Sequence, residues 1–154
     1  MTHSDSSFPE LHPADGPWSI YLHVPFCVSR CGYCDFNTYV LSAMGNVAVA
    51  GYLKAVHREL ELAADVLGAG QPPVSTIFFG GGTPTMLSPV QLGELVDHIR
   101  TLWGTDLNAE ITTEANPETL SGEVLAGLLK AGINRLSMGM QSADEFVLTV
   151  LDSR

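Results

Sequence analysis

Val74-Ser-Thr-Ile-Phe-Phe-Gly-Gly-Gly-Thr-Pro-Thr-Met-Leu-Ser-Pro-Val-Gln91 compresses a strand, a turn and the opening of a helix into one stretch. Val74 to Phe79 is rich in β-branched and aromatic residues, which suit a pleated, half-buried surface. Three glycines and Pro84 then break the run. Ser88 can cap a helix with Pro89 at its first position, and Gln91, three residues on, completes a capping box. Leu92, Leu95, Val96, Ile99 and Leu102 recur at helical spacing and define the face that helix buries.

The same βα pattern extends to both sides. Upstream, the strand Trp18 to Val24 leads through a cysteine loop to a helix carrying Leu53, Val56, Leu60 and Leu67, stopped by Gly68, Gly70, Pro72 and Pro73. Downstream, the strand Ala109 to Glu114 runs into Asn116-Pro117. A helix from about Ser121 is expected there, burying Leu125, Leu128 and Leu129 and ending at Gly132. A fourth strand, Ile133 to Met138, and a helix within Ala143 to Leu151 follow. Strands alternating with helices predict an α/β fold around a parallel sheet, here with about four βα units. Four units leave a sheet edge open, so the expectation is the first portion of a barrel in a truncated chain. Residues 1–16 are polar and read as a flexible tail, with residues 17–154 forming the domain portion.

The chain has 154 residues, of which 45% are hydrophobic and 16% charged, a composition that supports a packed core. Seven Lys+Arg against 17 Asp+Glu give a net charge of −10, which repels nucleic-acid phosphates and argues against a nucleic-acid partner. No apolar run reaches membrane-spanning length and no export signal is evident, so no transmembrane segment is expected and the setting is expected to be cytoplasmic. Three cysteines are an odd number, and in a reducing compartment thiols serve metals or catalysis rather than disulfides.

Those cysteines, Cys27, Cys31 and Cys34, lie in a C-x3-C-x2-C spacing within one loop. Thiolates so placed suit an iron-sulfur cluster or zinc. A structural zinc would need a fourth ligand such as His23 or His57. A cubane cluster held by three thiolates instead leaves one iron open. The glycine turn could bring backbone N–H groups close to an anionic ligand, although such a turn can equally be only a turn. The cysteine loop, the glycine turn, Glu114 and Gln141 all fall at C-terminal ends of successive strands, the rim where barrel enzymes build their sites.

Tyr21-Leu-His-Val-Pro-Phe-Cys-Val-Ser-Arg-Cys-Gly-Tyr-Cys34 resembles the signature of the radical-SAM superfamily. The resemblance implies a partial TIM-like (β/α) barrel and a 4Fe-4S cluster on Cys27, Cys31 and Cys34. It also implies S-adenosyl-L-methionine on the open iron, cleaved by an electron to a 5′-deoxyadenosyl radical. By the same resemblance, Gly81, Gly82 and Thr83 bind the methionyl amino group, Glu114 of the Glu-Ala-Asn-Pro segment contributes to the cofactor site, and Gln141 of Ser137-Met-Gly-Met-Gln141 meets the ribose. Tyr21 would turn its hydroxyl to the cofactor and Tyr33 would flank the adenine. Where the family carries an arginine this chain has Ser153, and Arg154 is the nearest candidate.

Within the superfamily, Cys34-Asp-Phe-Asn37 resembles the heme chaperones related to oxygen-independent coproporphyrinogen III oxidase. The oxidases carry another cysteine where this chain has Phe36. The implied function is a heme chaperone that uses the cluster and S-adenosylmethionine and passes heme to acceptor proteins. The alternatives are radical decarboxylation of coproporphyrinogen III and an inactive fragment.

Overall fold

The computed structural model describes residues 13–45 and 47–151. After β1 (Ser19–Val24) comes a short ladder of β2 (Phe26–Cys27) with β3 (Tyr39–Val40), then α1 (Leu41–Met44) and α2 (Val47–Leu67). β4 (Val74–Gly81) leads to α3 (Pro89–Trp103), β5 (Thr105–Ala115) to α4 (Gly122–Lys130), and β6 (Arg135–Met138) to α5 (Glu145–Val150). Residues 1–12 of the expected tail and Arg154 lie outside the described residues. Of the remainder of that tail, Ala14 N–H donates to the Gln71 side chain at 3.0 Å.

The four long strands form one parallel sheet in the order β1-β4-β5-β6. Doubly wound sheets reverse their strand order at a switch point, whereas barrel staves follow one another round, and this order shows no reversal. The register places Val24 beside Gly81, Phe79 beside Thr113 and Glu114 beside Ser137, so the carboxyl ends of the strands form one rim.

Alternation along the strands divides the sheet into two faces. Leu22, Val24, Ile77, Phe79 and Ile111 bury themselves against Val56 and Leu60 of α2 and Leu92, Leu95, Val96 and Ile99 of α3. The opposite face carries Tyr21, Phe78, Glu114 and a polar group in which Arg135 meets Glu110 at 3.6 Å and the Thr112 hydroxyl at 3.3 Å. The capping box of α3 is formed as expected: Ser88 Oγ accepts from Gln91 N–H and Gln91 Oε1 accepts from Ser88 N–H at 2.8 Å.

Three expectations need correction. β5 begins at Thr105 rather than Ala109, because a register shift between Val74 and Thr76 lets the polar, non-alternating Asp106-Leu-Asn108 join the strand. β6 begins at Arg135 rather than Ile133: Ile133 N–H closes the end of α4 on Leu128 C=O. Beside it the Asn134 side-chain amide bonds Ile111 N–H and Ala109 C=O in place of a strand backbone. In α4 only Leu128 is buried, while Leu125 and Leu129 are exposed. That helix approaches α3 through small contacts instead. A Cβ at Gly127 would lie 2.9 Å from Pro89 Cβ, and one at Gly93 would lie 3.2 Å from Ala131 Cβ. This orientation turns Leu125 and Leu129 toward the β6 flank, where pocket-lining neighbours are Ile133 and Leu136.

No helix among the described residues is long and apolar enough to cross a membrane. Ile77→Ala, at a fully buried position, is expected to lower stability by about 2–5 kcal/mol. Leu129→Ala, at a side chain 71% exposed, should change it by no more than about 0.5 kcal/mol. Urea unfolding of the two variants checks the contrast.

Candidate functional site

The cysteine loop is pinned at its base. Phe26 and Cys27 pair with Tyr39 and Val40, and Tyr39 N–H donates to Pro25 C=O at 2.7 Å, so the two ends of the loop leave the sheet side by side. Inside it, Cys34 N–H donates to Cys31 C=O at 3.1 Å and the Arg30 guanidinium reaches Cys34 C=O at 3.3 Å. His23 steadies the exit: one ring nitrogen lies 3.0 Å from Asn37 C=O and the other 3.1 Å from the Tyr21 hydroxyl.

The glycine turn packs directly against this loop. Gly82 N–H donates to Val24 C=O at 2.8 Å, Thr83 N–H to Phe26 C=O at 2.7 Å, and Gly81 N–H to the Glu114 carboxylate at 3.1 Å. The sequence-based expectation that these N–H groups meet an anionic ligand is therefore corrected, because all three are occupied within the protein. The turn instead offers a surface without side chains. A Cβ on Gly82 would lie 2.6 Å from Phe26 C=O and 2.9 Å from Cys27 Sγ, and Gly81 has φ +114° with the His23 ring where a Cβ would go.

Neighbouring loops of the rim are tied to one another. Asn116 Nδ2 donates to Thr83 Oγ1 at 3.3 Å, and the Thr85 and Thr119 hydroxyls meet at 2.6 Å. Between these loops lies a cavity of about 470 Å³. Cys27, Cys31, Cys34 and Tyr33 form one wall, and Gly81, Gly82, Thr83, Glu114 and Gln141 form the others. Tyr21 stands outside that lining, on the same sheet face, stacked on Phe78 with centroids 6.0 Å apart. Sequence reasoning passed over Arg30 and Asn116 as lining residues, and Thr38 as a neighbour of Cys27; no periodicity or spacing marks them.

Burial pushes the Cys27 thiol up, an effect opposed by the hydroxyls of Thr83 and Thr38 and reinforced by Cys34 and Cys31. The Thr38 hydroxyl is buried and has no well-formed hydrogen bond among the described residues. A metal centre replaces the thiol proton outright, and the two hydroxyls suit a thiolate at Cys27. Three soft donors on one cavity wall fit an iron-sulfur centre. Among the described residues no three His, Cys, Asp or Glu side chains converge as on a single ion. The zinc alternative also loses its fourth ligand. His23 is engaged with Tyr21 and Asn37, and His57 pairs with His98 between α2 and α3.

Residues 21–154 match the family described as the Radical SAM superfamily. This chain belongs to the radical SAM superfamily. Among relatives, it is 48% identical over 145 residues to the heme chaperone HemW of Mycobacterium tuberculosis, an alignment covering 94% of this chain and 37% of that protein. It is 45% identical to the heme chaperone HemW of Bacillus subtilis, covering 84% of this chain and 33% of the relative. The solved structure of the radical SAM enzyme coproporphyrinogen III oxidase (HemN) from Escherichia coli matches with a TM-score of 0.80 at 34% identity, over 90% of this chain and 31% of that one. The chain thus spans about a third of the length of these radical SAM relatives.

Gly82→Ala is expected to force the glycine turn away from Phe26 and Cys27, destabilising the fold by about 1–3 kcal/mol and lowering iron uptake on reconstitution; chemical denaturation and iron analysis check both. Tyr52, whose hydroxyl donates to His23 C=O at 2.8 Å, has its pKa pushed up by burial, and further by Glu59 and Tyr21, to about 12. The protonated phenol is the form the fold favours. Its contribution is therefore complete below pH about 10 and is lost as pH rises toward 12. A stability profile against pH should lose that decline in Tyr52→Phe.

Proposed function

We propose that this chain forms the cluster- and cofactor-binding part of a heme chaperone of the HemW type. Cys27, Cys31 and Cys34 would hold a 4Fe-4S cluster and leave one iron without a protein ligand. Gly81, Gly82, Thr83, Glu114, Gln141 and Tyr33 would seat S-adenosyl-L-methionine, with Tyr21 supporting from the adjoining sheet face; Arg154 is the candidate for the family arginine. When bound, the cluster would supply single electrons and S-adenosylmethionine the sulfonium that can receive one.

The observation that carries this reading is that the three cysteines and the glycine, glutamate and glutamine segments line one cavity at the strand ends. The protein's own part is positional. With its N–H groups engaged, the glycine turn offers a ligand bare backbone rather than free donors, which suits an ammonium group better than an anion. Glu114, held by Gly81 N–H, adds negative charge to the same wall. The cysteine loop fixes its thiols between two paired ends, and Tyr33 adds an apolar ring.

Heme and heme-acceptor proteins are the proposed cargo and partners, supported by the similarity to proteins named heme chaperone. Phe36, 65% exposed and lining the cavity, favours this over coproporphyrinogen III oxidase, in whose pattern a cysteine stands at that position. A reducing, cytoplasmic setting belongs to the proposal and is supported by an odd number of cysteines in a metal-ligand spacing. The net charge of −10 supports partners other than nucleic acid.

Anaerobic reconstitution with iron and sulfide, followed by EPR of the reduced protein, tests the reading. A 4Fe-4S signal that changes on adding S-adenosylmethionine is expected, together with a Soret shift on heme titration and no conversion of coproporphyrinogen III. Folded protein that holds no cluster would overturn the assignment, and turnover of coproporphyrinogen III would transfer it to the oxidase class.

A further inference from the structure

The helix layer contains a pair of histidines that takes no part in lining the cysteine cavity. His57 from α2 and His98 from α3 bring their Nδ1 atoms to 2.7 Å, with ring centroids 4.8 Å apart and planes tilted by 39°. Both rings are half-buried between helices whose adjacent residues Val56, Leu60 and Ile99 belong to the core. At that distance two neutral imidazoles share one proton, since one nitrogen must donate and the other accept. Two imidazole nitrogens brought this close are also a donor pair of the kind that borderline divalent metals take.

We propose that His57 and His98 form a two-nitrogen site for a divalent transition-metal ion such as Zn2+, clasping α2 to α3. Zn–N bonds of about 2.0–2.1 Å with tetrahedral angles need the two nitrogens about 3.3 Å apart, so the rings would part by about 0.6 Å. Small side-chain rotations supply that movement. Glu61 lies one helical turn beyond His57 and Glu94 one turn before His98, both exposed. Among the described residues no third His, Cys, Asp or Glu stands at ligand distance in the metal-free arrangement. The coordination is therefore completed by water or by one of these glutamates swinging inward. Over the whole chain, 17 Asp+Glu against 7 Lys+Arg favour cations over anions as ligands.

The test must silence the thiols, which bind the same metals. Zn2+ is titrated by calorimetry into the chain carrying Cys27→Ala, Cys31→Ala and Cys34→Ala, with circular dichroism to confirm folding. The expected result is one ion per chain and a thermal midpoint raised by roughly 5–10 °C at a hundred-fold excess over Kd. His57→Gln or His98→Gln added to that chain should weaken binding by at least about ten-fold, the loss that even an outer-sphere partner produces, and abolish the midpoint shift. In parallel, Cu2+ on the wild-type chain with alkylated thiols should give an EPR spectrum with hyperfine coupling to two imidazole nitrogens. No binding, binding unchanged by both histidine substitutions, or a copper spectrum with fewer than two nitrogens overturns the proposal.

Discussion

Two backbone hydrogen bonds carry the architecture of the rim: Gly82 N–H to Val24 C=O and Thr83 N–H to Phe26 C=O. They extend the β1–β4 pairing past the end of the regular ladder and hold the first cysteine against the glycine turn. Neither bond could form with a larger residue at position 82, because its Cβ would collide with Phe26 C=O and Cys27 Sγ. The cavity, the orientation of the cysteine loop and the seat of Glu114 on Gly81 N–H all follow from that close approach.

Much of this arrangement was legible in the residues. The capping box at Ser88 and the apolar spacing through Ile99 placed α3 correctly, because both are local signals whose chemistry does not depend on the rest of the chain. The four strands and the convergence of the cysteines with Gly81, Gly82, Thr83, Glu114 and Gln141 were also anticipated. What failed depended on tertiary context. Leu125 and Leu129 carry a core-like spacing, but Gly127 and Gly93 set the helix rotation through contacts with Pro89 and Ala131. The direction of the glycine-turn N–H groups was likewise invisible, since their partners lie on another strand. The roles of Thr38, Asn116 and Arg30 come from loop geometry that leaves no periodic trace.

The two faces of the sheet divide the work of the domain. The helix-covered face concentrates apolar burial in Ile77, Phe79, Ile111 and their partners, which hold the strands in register. Cofactor-competent groups are thereby carried on strand ends and on the polar face, where rigid scaffolding positions loop chemistry. Radical SAM membership extends over the four strands of the main sheet and their loops, whereas the residue that favours the proposed chaperone reading over an oxidase is a single position, Phe36. Fold and specificity occupy different length scales in this chain.

The two-residue ladder of Phe26–Cys27 with Tyr39–Val40 has a thermodynamic consequence for the loop it closes. Bringing the ends of a flexible segment together is an entropic expense that grows slowly with its length, and here the pairing of the two short strands meets it within the protein itself. The three thiols of the proposed cluster site are therefore carried on a loop whose ends the sheet already pairs.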